Sequence, residues 1–557
     1  MEQNIPQANT KNVLWKQRRK RQKGLVKSLL LDYAKNTTLH GLRYVTQKGL
    51  SIAEKLFWLL TFTLSVALCF YLISNVWMKW QSSPVIVSFS EKFVPVEMVP
   101  FPSVTICPDI KNRASAYNYS EEISKYNNNY IHNNLSADIM RAMEKIQDIA
   151  LICNIQQIYP RFNLNRDAGN VTIIKNLLEV SPSASKYIFN CNWRGDIDCS
   201  EMFSTVLTEH GVCFNFNSLA ANEILREQNI QKEYNYSDAS TPSKGWSLDT
   251  GYSKDRLPYP RRGVNSGSVY DLTVILQMPK EDPDETCNGG IKGSKIFVQH
   301  PADHPQSSLY YYASLPGQVS SVALKFSMMS TSKSLENYSP EVRQCYFQNE
   351  RHLRYFKIYT SRNCRLECQA NYTLEKCGCV WFHMPHNDSA SICTIEKLDC
   401  VEETVEQFAD EIIEDFVENE PDPCSCLPTC NAISYDAEIL KTDFNFNSVI
   451  KQVEKKYDLN LSELIDKYDY SQIDIHFKEP RFASMRRSEL FGLTDFLANC
   501  GGLLGLFLGF SALSLIEIIY FFTIRLGFIL KKDLDQEKNT LNKDRVVDVM
   551  DTNTERR

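Results

Sequence analysis

Two long apolar stretches, one near each end of the chain, restrict its folding more than any other feature. No charged residue occurs from Leu56 to Met78, and as a helix those residues would reach about 34 Å against a bilayer core of roughly 30 Å. A second uncharged run extends from Phe496 to Ile516, and apart from Glu517 the apolar character continues to Ile524. Both are long enough to cross a membrane, and a buried core helix of a soluble protein rarely runs so far without a charge. Mostly polar residues precede the first run, so it is expected to act as a signal anchor rather than a cleaved signal peptide.

Charge gives the orientation. The whole chain carries −6, but residues 1–56 hold twelve Lys/Arg against three Asp/Glu and residues 525–557 hold eight against seven. The segment between is therefore strongly acidic, which argues against a nucleic-acid partner. Lys16, Arg18, Arg19, Lys20, Arg21 and Lys23 place the amino terminus in the cytoplasm, and Arg525, Lys531 and Lys532 do the same for the carboxyl terminus. The expected order is cytoplasmic 1–55, first span 56–78, extracellular 79–488, second span 489–524 and cytoplasmic 525–557.

Cysteine usage supports that order independently. Cys69 and Cys500 lie in the spans, and the other sixteen of the 18 cysteines fall between residues 107 and 430, as a disulfide set in an oxidising compartment would. Sequons at Asn118, Asn134, Asn170, Asn235, Asn337, Asn371, Asn387 and Asn460 fall in the same segment, as expected of a glycosylated ectodomain.

Ten cysteines crowd into residues 345–430. Cys364 and Cys368 would share a helix face about 6 Å apart, and Cys424 and Cys426 a strand face about 6.6 Å apart. The two pairs can form the rungs of a ladder, Cys364 to Cys426 and Cys368 to Cys424. Nesting then joins Cys377 to Cys400, Cys379 to Cys393 and Cys345 to Cys430. A zinc site around Cys377-Gly378-Cys379 is the competing reading, and it suits a cytosolic protein better. No metal or other cofactor is expected.

Between Cys400 and Cys424 the spacing predicts an amphipathic helix with Val401, Val405, Phe408, Ile412 and Phe416 on one face and acids around the rest. It is either a surface that gathers cations or protons, or a solvated face. Alternation of period two at Tyr270 to Met278, Val322 to Met328 and Ile473 to Phe477 predicts strands of a half-buried sheet. The last of these leads through Lys478-Glu479-Pro480 towards the second span. The fold class expected is α+β.

Read as one helix, the second span sets Phe491, Asp495, Ala498, Gly502, Gly505 and Gly509 within about 40° of one line, with Cys500 opposite. Small residues at this spacing commonly mean close helix packing. Asp495 and Glu517 favour a water-facing stripe instead, because ionisable groups in a span are costly unless they face water. Gly509-Phe510-Ser511 would let the helix open and present backbone carbonyls, the usual material of a cation filter.

Several motifs together resemble the degenerin/epithelial sodium channel family, most closely its insect pickpocket branch. They are His40-Gly41 after Thr37-Thr38, FPSVTICP at Phe101 to Pro108, CNWRGDIDC at Cys191 to Cys199, GVCFNFNS at Gly211 to Ser218 and SPEVRQC at Ser339 to Cys345. Cys364 to Cys379, CSCLPTC at Cys424 to Cys430, and GGLLGLFLGFSALSLIE at Gly501 to Glu517 complete the set. The resemblance implies a homo- or hetero-trimer of sister subunits with a hand-shaped ectodomain, a β-sheet palm and the ten-cysteine module as thumb. It implies a sodium-selective, amiloride-sensitive pore in the plasma membrane, not gated by voltage and opened by an extracellular chemical or mechanical stimulus.

Residue by residue, the resemblance makes Gly509, Phe510 and Ser511 the selectivity filter and Asp495, Ala498, Gly502, Gly505 and Glu517 the pore lining. His40 and Gly41 become a cytoplasmic gating loop beneath the filter, and Ala498 the degenerin position. It pairs Cys191 with Cys199 and Cys107 with Cys213, leaving Cys153 and Cys287 unassigned and free to pair. Phe510 is bulky where many relatives carry a small residue, so it should face a neighbouring helix. Proton-gated relatives carry Trp where this chain has Val342, so a proton stimulus is not what the resemblance implies here.

A two-span lipid or adhesion receptor of the scavenger type has the same gross topology, yet it has no need of Asp495, Glu517 or the glycine stripe. An ATP-gated channel would need clustered Lys/Arg outside the membrane. No HExxH or GxSxG motif supports an enzyme, and His300 and His304, separated by Pro301, read as turn residues.

Overall fold

The computed structural model describes residues 24, 27–82, 85–129, 136–154, 170–195, 197–226, 246–253, 259–305, 310–418, 424–458, 460–532 and 534–535. The chain divides into two compact units, Val87–Ser488, and Met1–Ile86 together with Glu489–Arg557.

The larger unit is built on sheets. Strands β1 (Val85–Pro95), β2 (Ser103–Pro108), β3 (Ile188–Trp193), β4 (Ile197–Asp198), β5 (Phe203–Thr208) and β6 (Gly211–Phe216) come first. Next are β7 (Trp246–Ser247), β8 (Gly251–Tyr252), β9 (Leu272–Pro279), β10 (Ser294–Gln299), β11 (Tyr312–Ser314) and β12 (Gln318–Thr331). Beyond the cysteine-rich module lie β13 (Ala432–Asp443), β14 (Tyr468–Phe477) and β15 (Arg481–Glu489). An eight-stranded sheet has the order β1-β15-β12-β14-β9-β3-β4 with β13 also on β12, and a five-stranded sheet the order β11-β10-β2-β6-β5.

The alternating runs are explained by burial. Leu272, Val274 and Leu276 on β9 and Ile473, Ile475 and Phe477 on β14 have no exposed surface, and each buried aliphatic side chain contributes on the order of 1.5–3 kcal/mol. They share one core with Ile106, Phe214 and Ile296 of the five-stranded sheet. Tyr270, placed by its spacing in the same run, lies just outside β9 and is exposed.

The approach to the second span differs from the expected straight run, because β14 ends at Phe477 and β15 intervenes. Both strands run parallel to β12. Val319 faces Gln472, an offset of 153, and Met328 faces Ser484, an offset of 156. Three extra residues, Lys478 to Pro480, therefore bulge out between two segments of one strand path, and Pro480 explains why the ladder lapses there.

Residues 110–190, unreadable by periodicity, include helices at Tyr119–Asn129, Ala137–Ala150 and Asn170–Val180. The cysteine-rich module holds two long helices, Ser361–Cys377 and Leu398–Glu418. The first begins where the Thr360 side chain accepts the Asn363 N–H and ends at Gly378, whose φ of 73° suits glycine. The two pack through Tyr372 and Phe408, with ring centroids 5.4 Å apart, and the Tyr372 hydroxyl donates to Glu411. Val401 is buried and Phe408 and Ile412 are half-buried, as the amphipathic pattern requires, but Val405 is exposed and Thr404 is buried in its place; the side chain of Phe416 lies outside the described residues.

Eight disulfides join Cys107–Cys213, Cys153–Cys287, Cys191–Cys199, Cys345–Cys430, Cys364–Cys426, Cys368–Cys424, Cys377–Cys400 and Cys379–Cys393. Cys69 and Cys500 are free. One local expectation is corrected: Cys424 to Cys426 is not a strand, because Ser425 has a φ of 50° and turns the chain. The two rungs still form, since a turn can carry two sulfurs to one side as a strand does.

In the smaller unit, α1 (Ile52–Ser82) is followed, beyond the larger unit, by α2 (Leu493–Leu508) and α3 (Ala512–Ile519). Helical structure continues from α3 through a wide turn at Tyr520–Arg525 to Lys532, past the expected end at 524. Residues 52–81 and 512–532 are each long and apolar enough to cross a membrane. Leu60, Phe70, Leu506 and Leu513 on these helices are exposed, as lipid-facing side chains are. Phe496 on α2 stacks on Trp80 of α1 at 4.9 Å and meets Trp77 edge-on at 5.6 Å.

Candidate functional site: the break in the second span

The second span is two helices rather than one, which changes the stripe inferred from its sequence. Phe491 precedes α2, and Gly509 terminates it. Asp495, Ala498, Gly502 and Gly505 alone share the helix, and all four are exposed in the single chain, whereas Phe496 and Cys500 on the other side are half-buried. The chain's own α1 thus covers one side of α2 and leaves the small-residue side uncovered.

Asp495 has a structural task as well. Its Oδ2 accepts the Gly492 N–H at 3.1 Å, closing the first turn of α2, where a carboxylate also opposes the positive end of the helix dipole.

The break spans Gly509, Phe510 and Ser511. Gly509 has a φ of 64°, which glycine adopts without strain. Its N–H still reaches Gly505 O at 3.0 Å and the Phe510 N–H reaches Leu504 O at 3.2 Å, so α2 is capped as the chain turns away. The Ser511 hydroxyl then accepts the Ser514 N–H at 3.3 Å and starts α3. Phe510 is half-buried within the chain.

A segment from the amino-terminal side is packed into this break. The His40 N–H donates to Leu508 O at 3.0 Å, and the His40 ring lies over Gly509, where a Cβ would fall 1.6 Å from Nδ1. Gly41 follows with a φ of 87°, and the space a Cβ would take there is bordered by Phe62 and Trp58 of α1. His40 and Gly41, Gly509 and Leu508 therefore form one contact.

Below it runs a short polar relay. Ser514, fully buried, lies 2.8 Å from the Thr38 hydroxyl, which donates to Glu517 Oε2 at 3.0 Å; the Thr38 N–H reaches the same oxygen at 3.3 Å. This revises the reason for Glu517 in the span, because its carboxylate is held by protein donors rather than by water alone. Further along, Asp32 pairs with Arg525 and Tyr33 packs on Phe521 at 5.4 Å. Asp32 was not singled out by sequence reasoning. Arg525 was read only for the charge that orients the chain, Thr38 only as part of the pair Thr37-Thr38 ahead of His40-Gly41, and Ser514 only as a member of the run Gly501 to Glu517.

The remaining expected positions are scattered over the larger unit. Asn118, Asn337 and Asn460 are exposed, and Asn371 and Asn387 are half-buried. Asn460 accepts the Ser462 hydroxyl of its own sequon at 2.7 Å, and Asn387 that of Ser389 at 2.9 Å. Asn134, Asn235 and the side chain of Asn170 lie outside the described residues. Val342 is exposed, on the short helix Pro340–Arg343.

Known proteins share this arrangement of sequence. A family profile described as "Amiloride-sensitive sodium channel" matches residues 33–521. Pickpocket protein 28 of Drosophila melanogaster is 28% identical over 522 residues, covering 90% of this chain and 79% of its own. Sodium channel protein Nach of the same organism is 23% identical, covering 93% and 91%. Acid-sensing ion channel 1C of Danio rerio is 24% identical, covering 91% and 86%. Since the profile takes in α1, the whole disulfide-bonded region, α2, the break and α3, the chain belongs to the amiloride-sensitive sodium channel family.

Proposed function

We propose that the chain is one subunit of a trimeric, sodium-selective, amiloride-sensitive cation channel of the plasma membrane. Both termini are cytoplasmic, the ectodomain is hand-shaped, and an extracellular chemical or mechanical stimulus opens the pore. The observation that carries this reading is the uncovered stripe Asp495, Ala498, Gly502 and Gly505 leading to the helix break at Gly509. In a trimer, three such stripes would meet on the axis, because small side chains allow close approach and a carboxylate ring at the outer end concentrates cations. The break interrupts the helical ladder between Leu508 and Ala512, and three subunits doing so at one level would offer a constriction lined by backbone oxygens at Gly509, Phe510 and Ser511.

His40 and Gly41 are assigned to gating on the same reading. Their contact with Leu508 and Gly509 couples the amino-terminal loop to the constriction, so a shift of that loop changes the shape of the break. Expression in oocytes, alone and with sister subunits, tests the function. Replacing external sodium by potassium should move the reversal potential to more negative values, and an open channel whose reversal potential stays put would disprove sodium selectivity.

A further inference from the structure

One cavity, of about 160 Å³, lies within the larger unit. It is formed where the turn His300–Asp303, the start of the helix Ser361–Cys377 and the first residues of β13 come together, with Leu248 at its side. Its volume is below the roughly 300–1,000 Å³ of a drug-sized pocket, so it suits a ligand of few heavy atoms.

The polar groups in its wall are unusual in two respects. First, a charge pair lies inside it, with the Asp303 carboxylate 3.3 Å from the Arg362 guanidinium; the Asp303 side chain is 7% exposed and that of Arg362 37%. Second, His300 is 5% exposed, and its Nε2 has no hydrogen-bond partner among the described residues. Its other nitrogen, Nδ1, accepts the Ala302 N–H at 3.1 Å. Burial holds the ring neutral, lowering its pKa to about 4, so the single ring proton sits on Nε2. The ring is fixed between Trp246 at 5.6 Å and Tyr435 at 6.4 Å. The result is an immobilised donor without an acceptor, and buried polar groups in folded proteins are normally satisfied.

A ligand for this wall must bring an acceptor for Nε2–H beside a charge pair already formed by Arg362 and Asp303. A simple anion would do so while lying against Asp303, which repels it. A molecule carrying both signs meets neither objection. We propose that the cavity binds a small zwitterion of the α-amino-acid class, its carboxylate on Arg362 and His300 Nε2–H and its ammonium on Asp303. The dipole of the helix beginning at Ser361 reinforces the carboxylate end, and the apolar Leu248 side leaves room for a small side chain. The inference concerns binding and is read without current, so its failure would leave the proposed channel function untouched.

The test uses the full-length protein in detergent, its melting followed by intrinsic fluorescence, with glycine as probe and acetate and methylammonium as probes of each half. Glycine should raise the melting temperature saturably, and the single-charge probes at equal concentration should not. Arg362→Gln and Asp303→Asn should each weaken the glycine effect by about tenfold or more. If either variant melts abnormally without ligand, Leu248→Trp, which fills the cavity and keeps every charge, should abolish the effect. A wild-type protein indifferent to glycine, an equal response to acetate, or an undiminished response in Leu248→Trp would each overturn the proposal.

Discussion

The imidazole of His40 occupies the space that a side chain at Gly509 would need, with Nδ1 1.6 Å from the position a Cβ would take. The two residues are far apart in sequence, and the contact joins the amino-terminal loop to the point where the second span breaks. Gly509→Ala meets two obstacles: a positive φ, worth about 1–3 kcal/mol of strain, and the ring. It should reduce sodium current at unchanged surface level. Adding His40→Ala removes the ring but not the strain, so the double variant should recover part of the current. Equal current in Gly509→Ala and wild type would show that the contact is not needed for conduction.

Ala498 is exposed on the uncovered side of α2, eleven residues before Gly509 and about 16 Å from it along a helix. If three copies meet there when the pore is shut, Ala498→Val overpacks each site by about 1–3 kcal/mol. Summed over three subunits, even the low end shifts the closed-to-open ratio by more than about a hundredfold. Standing, amiloride-blockable current without a stimulus is expected, and voltage clamp of surface-verified mutant measures it. No increase over wild type would remove Ala498 from the shut constriction.

The ladder Cys364–Cys426 and Cys368–Cys424 ties the helix Ser361–Cys377 to the turn at Ser425. Loss of one native bond in a small module costs about 2–5 kcal/mol. Cys368→Ser should therefore lower surface delivery, seen by biotinylation, far more than current per delivered channel. Non-reducing peptide maps of the wild type should recover the two fragments joined.

Asp271 makes the stability of the larger unit depend on pH. Burial raises its pKa to about 6, against the effect of the Val264 and Asn265 N–H groups that donate to it and of nearby Arg194. Because the folded pKa lies above the unfolded value of 3.8, the folded state keeps its proton where the unfolded state has lost it. Stability from this group is complete below about 4 and lost as the pH rises through 6. The difference is on the order of 2–3 kcal/mol. Wild type should gain melting temperature between pH 7 and pH 4.5 relative to Asp271→Asn, and parallel pH profiles would contradict this.

Features held within one or two turns of chain were legible in the sequence. The apolar runs, the one-turn spacing of Cys364 and Cys368, the acidic amphipathic helix Leu398–Glu418 and the alternation on β9 and β14 all follow from the periods of 3.6 and 2 that a backbone imposes on its side chains. The glycine and serine at the break were visible too. That the chain turns at Gly509 was an expectation of composition. That the turn is filled by His40 was not written locally.

Tertiary structure decided the contacts made across long separations. Glu517 could be read as a lone carboxylate in a span, but its partner Thr38 is 479 residues away. The positive φ of Ser425, the bulge at Lys478 to Pro480 and the burial of Asp271 likewise depend on what packs around them. The physical reason is range. Periodicity and helix breaking are short-range properties of the backbone and its side chains, so one strand of sequence determines them. A buried carboxylate's proton affinity, or the ring that fills a glycine's empty side, is set by neighbours whose identity only the folded chain brings together.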